Sequence, residues 1–269
     1  MRLLPLVLLV GAILAAGPGS LLARDDDPFV RRTGTEVGLL GGAAACFAGG
    51  LAIEAGRDAP APADPAGLDP ANLPFLDRPA TRSWNPGSAA LSDVLAYGSM
   101  AAPLSLMLDD RGRDRAGTLV LMHAETLLLQ GGIVTLIKSA VGRARPYAYN
   151  PDPRIPADLR TSRTTFRSFP SGHTASAFAS LVFLASVHDE LHPDSRSQAW
   201  VWGGCLATAT ATGWLRVRSG RHFLSDVVAG ALIGAAVGRL VPRLHDAEDG
   251  GSGTSGSAAL PLAVWGWAF

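Results

Sequence analysis

The sequence predicts an all-α protein, a compact bundle of about six core helices that either spans a membrane or lies against one. Two observations lead to this prediction. Apolar residues make up 48% of the 269 residues and charged residues only 17%, a balance that leans towards membrane proteins. Six segments rich in Ala, Leu, Gly and Val also lack the period-two alternation of half-buried strands, so we expect each to form a helix.

The six segments lie at about 37–56, 89–108, 117–138, 173–188, 198–215 and 224–241. Between the first two, residues 57–88 contain seven prolines, which indicates an extended connection and not a helix. We therefore expect one helical domain over residues 29–245. A Gly- and Ser-rich stretch opens the remaining segment, 246–269, which ends in alternating aromatic residues and reads as a linker and apolar tail.

The first residues have the pattern of a targeting segment. Arg2 supplies a short positive region, residues 3–16 an apolar core, and residues 15–20 small side chains. We expect residues 1–23 to act as a signal peptide, with an uncleaved anchor as the alternative. The protein is then expected in the cell envelope, with its active site outside the cytoplasm.

This localisation leaves two arrangements open. After a cleaved signal, three spanning helices would place residues 139–172 in the cytoplasm, because an odd number of crossings ends on the opposite side. Either the helices form a soluble or surface-attached bundle, or residues 1–23 do not act as a signal. Positive charge at Arg111, Arg113 and Arg115 favours the spanning arrangement with an outer active site.

The charge distribution points to an anionic small-molecule substrate. The net charge is zero, which gives no indication of nucleic-acid binding. Between Lys138 and Arg167, however, seven basic residues stand against Asp152 and Asp158, a local excess of +5 (seven minus two). Such segregation of sign suits an anion.

Two clusters with phosphate-binding chemistry come before and at the start of the predicted fourth helix. Lys138 ends an apolar segment, and Arg145 follows seven residues later, directly before a proline. The compact ammonium of the lysine and the planar guanidinium of the arginine can therefore bind one oxyanion together. Ser171 is a candidate N-cap and Gly172 allows close backbone approach. His173 then lies at the start of a helix, where free N–H groups and the macrodipole favour anions.

A third cluster contains Arg216, His222 and Asp226. His222 and Asp226 are four residues apart and share a helix face if the helix has begun. Asp226 would then accept a hydrogen bond from one ring nitrogen and leave the other as a nucleophile. Each cluster alone is compatible with solvated charges or a capped surface pair, whereas all three beside apolar helices indicate phosphate chemistry.

The three clusters resemble the signature of the type 2 phosphatidic acid phosphatase and vanadium haloperoxidase superfamily, over roughly residues 117–241. In that pattern a serine usually precedes the third arginine, but Leu215 stands here, which puts one phosphate hydrogen bond in doubt. The resemblance implies that His222 is the nucleophile, Asp226 its orienting carboxylate and His173 the general acid. It also implies a phosphate-holding set, namely Lys138, Arg145, Ser171, Gly172 and Arg216.

The resemblance implies a metal-independent phosphatase that needs no cofactor and works through a phosphohistidine intermediate. A lipid phosphate or prenyl diphosphate at a membrane is the favoured substrate, because helices flank the site. The alternatives are a periplasmic acid phosphatase for small soluble phosphomonoesters, a vanadate-dependent haloperoxidase and a non-catalytic membrane scaffold. A metal hydrolase is disfavoured because three cations beside the histidines would repel a dication.

Overall fold

The computed structural model describes residues 27–56 and 68–247. The predicted targeting segment, 1–23, and nearly all of the predicted tail lie outside these residues. Six long helices occur in the described part, and no sheet does; their bounds are α1 Thr33–Ala55, α2 Pro86–Ala101, α3 Ala116–Val141, α4 Gly172–Leu191, α5 Gln198–Arg218 and α6 Leu224–Leu244. The predicted all-α architecture with about six core helices is confirmed.

Helix α4 is the central element of the bundle. It contacts α2, α3, α5 and α6, whereas α1 packs mainly along α3. Twelve of the 20 residues of α4 are buried, among them Ala175, Phe183 and Val187. A helix buried on all sides needs apolar residues around its whole circumference, which explains why the sequence of α4 shows no polar face.

Three glycines let α6 approach α4 more closely than side chains would allow. Gly230, Gly234 and Gly238 are spaced four residues apart and form one stripe, which we call the glycine seam. A Cβ atom built on each would clash with a backbone carbonyl oxygen of α4. The seam therefore fixes the separation and the axial register of these two helices.

The chain runs up and down between two ends of the bundle. The motif end holds the loops 142–171 and 219–223, which are joined where the Tyr147 N–H donates to the Gly220 carbonyl (3.1 Å). The terminal end holds residues 27–32 and 245–247, where the Val30 N–H donates to the His245 carbonyl (2.7 Å). All three predicted motifs consequently lie at one end, and both termini of the described chain lie at the other.

The terminal end is closed by a buried polar pair. His245 Nε2 lies 3.3 Å from Glu125 Oε2, and both side chains are fully buried. The N–H of Ala247 donates to the Pro28 carbonyl (3.0 Å). The packed chain thus continues two residues beyond the domain end predicted at residue 245.

The proline-rich connection is more structured than predicted. In its described part, short 3-10 turns form at Pro70–Asn72 and Arg78–Arg82. Proline at the start of each turn explains them, because its fixed φ suits a first helical position and its missing N–H is not needed there. The second turn begins immediately after Asp77, a buried carboxylate that reaches the motif end.

Four helical segments of the described chain are long and apolar enough to cross a membrane. They are Thr33–Ala55, Pro86–Leu108, Ala116–Ala148 and Leu224–Leu244. Large apolar side chains on α2 and α6, among them Val94 and Leu232, point outwards and are exposed. An apolar outer surface of this kind suits lipid contact.

We expect that Gly234→Ala lowers the stability of the protein by about 1–3 kcal/mol, because the added methyl group is forced against the backbone of α4. Thermal unfolding of the purified protein in detergent measures this change. The matched control is Gly203→Ala on α5, where a Cβ meets no atom within 4 Å. A midpoint for Gly234→Ala at or above that of Gly203→Ala would contradict the proposed role of the glycine seam.

Candidate active site

The candidate nucleophile lies in the tight turn between α5 and α6. Gly220 has φ 71°, a left-handed conformation that costs glycine little. The turn brings the N–H groups of Arg221 and His222 back onto the Arg216 carbonyl, at 3.1 and 3.2 Å. Arg216 and His222 are therefore held beside each other, as a phosphate site requires.

Asp226 faces the ring of His222, but not by the geometry predicted from the sequence. Helix α6 begins at Leu224, so His222 precedes the helix and the two residues do not share a helix face. Instead the Asp226 carboxylate folds back and accepts the Phe223 N–H (2.9 Å), which caps the helix start. In that position Asp226 Oδ2 lies 3.4 Å from His222 Nδ1.

A buried network holds Asp226 in place. Ser168 Oγ donates to Asp226 Oδ2 (2.5 Å), and Arg143 Nη1 donates to Asp226 Oδ1 (2.7 Å). Arg143 also donates from Nη2 to Asp77 (2.8 Å), which in turn accepts the N–H and the hydroxyl of Ser225 (3.0 and 2.6 Å). Burial would raise the pKa of Asp77, but its hydrogen bonds from Arg143 and Ser225 hold that pKa below the usual value.

Lys138 and Arg145 bind the backbone of the motif end. Lys138 Nζ donates to the carbonyl oxygens of Pro170 (2.6 Å) and Arg167 (2.8 Å). Arg145 donates to the carbonyl oxygens of Thr164 (2.9 Å) and, more weakly, Arg167 (3.4 Å). The two cations therefore shape the loop before α4 as well as lying close to His222.

The start of α4 has the predicted capping geometry. Ser171 is its N-cap, and Ser171 Oγ accepts the Thr174 N–H (3.5 Å) and the Thr174 hydroxyl (2.9 Å). The Ser171 N–H donates to the Asp226 carbonyl (2.9 Å), which joins the second motif to the third. Gly172 lies against Lys138, with its missing Cβ 3.8 Å from Lys138 Cε, so the first and second motifs also meet.

The third arginine and the candidate general acid meet through a residue of α2. Arg216 Nη1 donates to Asp93 Oδ1 (2.8 Å) and to Ser92 Oγ (3.0 Å). His173 Nε2 lies 3.0 Å from the same Asp93 oxygen. The Arg216 Nε atom is buried and has no hydrogen-bond partner among the described residues, which leaves a donor for a ligand.

All eight predicted site residues are thus gathered at the motif end, although not every contact was predicted. Leu215 stands where the family pattern usually has a serine. A different hydroxyl, that of Ser92 on α2, accepts a hydrogen bond from Arg216. Of the seven basic residues between positions 138 and 167, Arg143, Arg154 and Arg167 form ion pairs within the protein. The cations that act most strongly on His222 are Arg145, Lys138 and Arg216.

The electrostatic result is clearest at His222. The ring is 1% exposed, and burial lowers its pKa well below the usual value. The charges of Arg145, Lys138 and Arg216 act in the same direction. The imidazole is therefore neutral at neutral pH, as a nucleophile must be.

Sequence reasoning missed Asp77, Asp93 and the bridging role of Arg143. Asp93 lies within the predicted apolar segment 89–108, and Asp77 lies in the proline-rich connection. Their contacts join residues more than 60 positions apart, so no local spacing predicts them. Among the described residues, no group of three or more His, Cys, Asp or Glu side chains is arranged to hold a metal ion.

Comparison with known proteins gives one family match and several relatives. A family model described as the PAP2 superfamily matches residues 119–249. A lipid A 1-phosphatase from Porphyromonas gingivalis is 33% identical over 53% of this chain and 28% of its own length. A probable diacylglycerol pyrophosphate phosphatase 1 from Schizosaccharomyces pombe is 32% identical over 42% of this chain and 48% of its own length. The chain thus spans less than half the length of either relative.

A partial structural match is the crystal structure of a transmembrane PAP2 type phosphatidylglycerolphosphate phosphatase from Bacillus subtilis. It is 18% identical, covers 90% of this chain and 94% of its own, and has a TM-score of 0.45. The matched residues, 119–249, contain all three motifs. They also contain the apolar segment Leu224–Leu244 and all but the first three residues of Ala116–Ala148. With these motifs assembled in one site, the chain is a membrane protein whose residues 119–249 match the PAP2 superfamily.

Proposed function

We propose that this protein hydrolyses the phosphomonoester of a lipid by way of a phosphohistidine on His222. The observation that carries the proposal is the state of the His222 ring, which is buried, neutral, faced by a carboxylate at Nδ1 and surrounded by three cations. A buried neutral imidazole beside Arg216 is poorly suited to a purely structural task, because the cations contribute nothing to its packing. It is well suited to attack an anion that those cations hold.

Asp226 sets the tautomer of the nucleophile. A carboxylate facing Nδ1 favours the proton on that nitrogen and leaves the lone pair on Nε2. Nε2 then attacks phosphorus and the bond between phosphorus and the leaving oxygen breaks. As the ring gains positive charge in this step, Asp226 stabilises it, as in other carboxylate-oriented histidines.

The cations and the helix start hold the transferred phosphoryl group. Arg216, Lys138 and Arg145 place positive charge around it, and the first N–H groups of α4 have no partner within the helix. Charge spread over the equatorial oxygens of the transition state is stabilised by such fixed donors. In this proposal the reaction needs no metal and no cofactor.

His173 moves the protons. In the first half-reaction it donates a proton to the leaving oxygen, and in the second it takes a proton from the water that attacks the phosphohistidine and frees His222. Burial, and then the charge of Arg216, lowers the pKa of His173 to about 4. Because a bound phosphate brings negative charge among those cations, substrate binding favours the protonated ring. General acid catalysis is therefore lost as the pH rises.

The substrate class follows from the position of the site. The proposed phosphate-binding residues lie at the motif end of helices with apolar outer surfaces, where the headgroup of a membrane lipid would lie. The printed names of the two relatives, a lipid A 1-phosphatase and a probable diacylglycerol pyrophosphate phosphatase, support a lipid substrate. A prenyl diphosphate or a soluble phosphomonoester fits the same cations, and these are the alternative substrates. Vanadate would fit as a phosphate analogue, which is the haloperoxidase alternative.

We expect purified protein to hydrolyse a lipid phosphate faster than a prenyl diphosphate or a water-soluble aryl phosphate at equal concentration, because only the first combines a monoester with an apolar anchor. Released phosphate is measured with and without a chelator, and with vanadate as inhibitor. Activity should survive chelation and fall with vanadate. Loss on chelation that a divalent ion restores would refute the metal-free mechanism, and peroxide-dependent halogenation with vanadate would favour the haloperoxidase alternative.

The two histidines should separate kinetically. His222→Ala should abolish turnover of every substrate, because the covalent route is lost. His173→Ala should slow an alkyl phosphate by roughly 10²–10⁴-fold but an activated aryl phosphate much less, since an acidic phenol leaves without a proton. Asp226→Asn should fall between them. Rapid quench with labelled substrate locates the acid-labile phosphate, and label on His173 would reverse the two assignments.

The topology has a sharp test because α6 joins the two ends of the bundle. A helix of 21 residues is about 30 Å long, so it spans a hydrocarbon core. We propose that the motif end faces outwards and that residues 245–247 face the cytoplasm. A reporter active only in the periplasm, fused after Asp246, should then be inactive, and a cytoplasmic reporter at the same position active.

The reverse result would refute this orientation and leave either a soluble or surface-attached exported bundle or a spanning bundle with its motif end in the cytoplasm. The fold links this outcome to the fate of residues 1–23. Because residues 27–32 pair with 245–247, both ends of the described chain lie on one side. An outer motif end in a spanning bundle is therefore incompatible with cleavage of a signal before residue 27.

A further inference from the structure

Asp93 brings a carboxylate of α2 into a site otherwise built from the ends of α3, α4, α5 and α6. Its side chain is 46% exposed, whereas that of Arg216 is 6% exposed. One oxygen, Oδ1, lies 2.8 Å from Arg216 Nη1 and 3.0 Å from His173 Nε2. The carboxylate therefore occupies a position between a buried guanidinium and the nitrogen that would protonate the leaving group.

The surroundings of His173 show why this carboxylate matters. An imidazolium there would be disfavoured by burial and by three nearby cations. Asp93 is the one anion among the charged groups that act on His173 appreciably. The titratable and charged groups around the ring are Asp93 and Tyr97 from α2, Lys138 from α3, Arg145 after α3, Arg216 from α5 and His222 before α6.

We propose that Asp93 is a positioning residue for the general acid, holding the proton and the orientation of His173 Nε2 until the substrate's leaving oxygen takes its place. This inference rests on the proposed phosphatase function. Asp93 does not touch phosphorus; it acts through His173.

In this proposal the leaving oxygen of the substrate replaces Asp93 as the partner of His173 Nε2. A phosphate entering the cradle competes for Arg216, and the half-exposed carboxylate turns aside towards solvent. Nε2 then passes its proton to the leaving oxygen as the bond from oxygen to phosphorus breaks. Asp93 stays within a few ångströms, so its charge still favours protonation of His173 before the step and again when water gives up its proton.

A pH profile tests this role. In Asp93→Asn, the basic limb of kcat/KM for an alkyl phosphate should move to lower pH by about one to two units, because an opposite charge beside the ring has been removed. The limb of kcat should move less, since kcat reports the substrate complex, in which Asp93 has turned aside. An activated aryl phosphate should show little loss. Asp93→Glu, which keeps the carboxylate, should recover part of the shift.

A double-mutant cycle separates action through His173 from action through Arg216. If Asp93 acts through His173, adding Asp93→Asn to His173→Ala should change the remaining activity by no more than about twofold. A full additional loss in that background would overturn the proposal and assign Asp93 to Arg216 alone.

The chain offers a matched control far from the site. His192 Nε2 lies 3.0 Å from Asp109 Oδ2, and that carboxylate is 47% exposed, so distance and exposure resemble those at Asp93. Asp109→Asn should leave the pH profile unchanged. An equal change of profile in Asp109→Asn would show that the effect at Asp93 is not local.

A direct titration decides the matter independently of turnover. With isotope-labelled histidine and His173→Ala for assignment, NMR follows protonation of His173 without phosphate, so that Asp93 still faces the ring. The midpoint in Asp93→Asn should be lower than in the wild type, and an unchanged midpoint would overturn the proposal. Absence of phosphatase activity in the wild type would instead count against the proposed function, and the titration would still measure the effect of Asp93.

Discussion

The close approach of α4 and α6 is the constraint on which the site depends. Because the glycine seam places the backbone of α6 directly against α4, the first turns of the two helices come side by side. The hydrogen bond from the Ser171 N–H to the Asp226 carbonyl records that register. Two helix N-termini, each with a positive dipole end, therefore converge where His222 and His173 lie. A wider separation would pull the acid and the nucleophile apart.

The second constraint is the chain of charges from Asp77 through Arg143 to Asp226. Arg143 bridges two buried carboxylates and stacks on the Phe223 ring at 4.0 Å. A buried carboxylate that lost Arg143 would be left with an uncompensated charge, which is costly. The bridge thus does two things: it ties the proline-rich connection to the start of α6, and it holds the Asp226 carboxylate so that it faces His222.

The sequence was sufficient for what depends on local pattern and insufficient for what depends on helix packing. Apolar composition and proline positions predicted the six helices, and the spacing within each motif predicted residues that the fold brings together. The contact between His222 and Asp226 was predicted from helix periodicity, yet it arises from a capping turn, because α6 starts two residues after His222. Asp93 and Asp77 could not be found, since their partners lie far along the chain and only the packing of α2 and the proline-rich connection against the motif end brings them close.

One electrostatic field serves the two histidines in opposite ways. In the proposed mechanism, positive charge from Lys138, Arg145 and Arg216 helps His222, because a nucleophile must be neutral, but it opposes protonation of His173, which must donate a proton. Cations alone cannot keep one histidine neutral and also favour the protonated form of the other. The two carboxylates resolve the conflict by their placement.

Asp226 is fully buried, fixed by Ser168, Arg143 and the Phe223 N–H, and faces the nitrogen of His222 that does not react. Asp93 is half-exposed, shared with Arg216, and faces the Nε2 nitrogen of His173 that would transfer the proton. A rigid carboxylate suits a ring whose charge must be supported while it is bonded to phosphorus. A movable one suits a ring that, in the proposed mechanism, must first hold a proton and then give it up. Under that mechanism the difference in burial lets one cluster of cations bind phosphate and keep the nucleophile neutral while the acid can still be protonated.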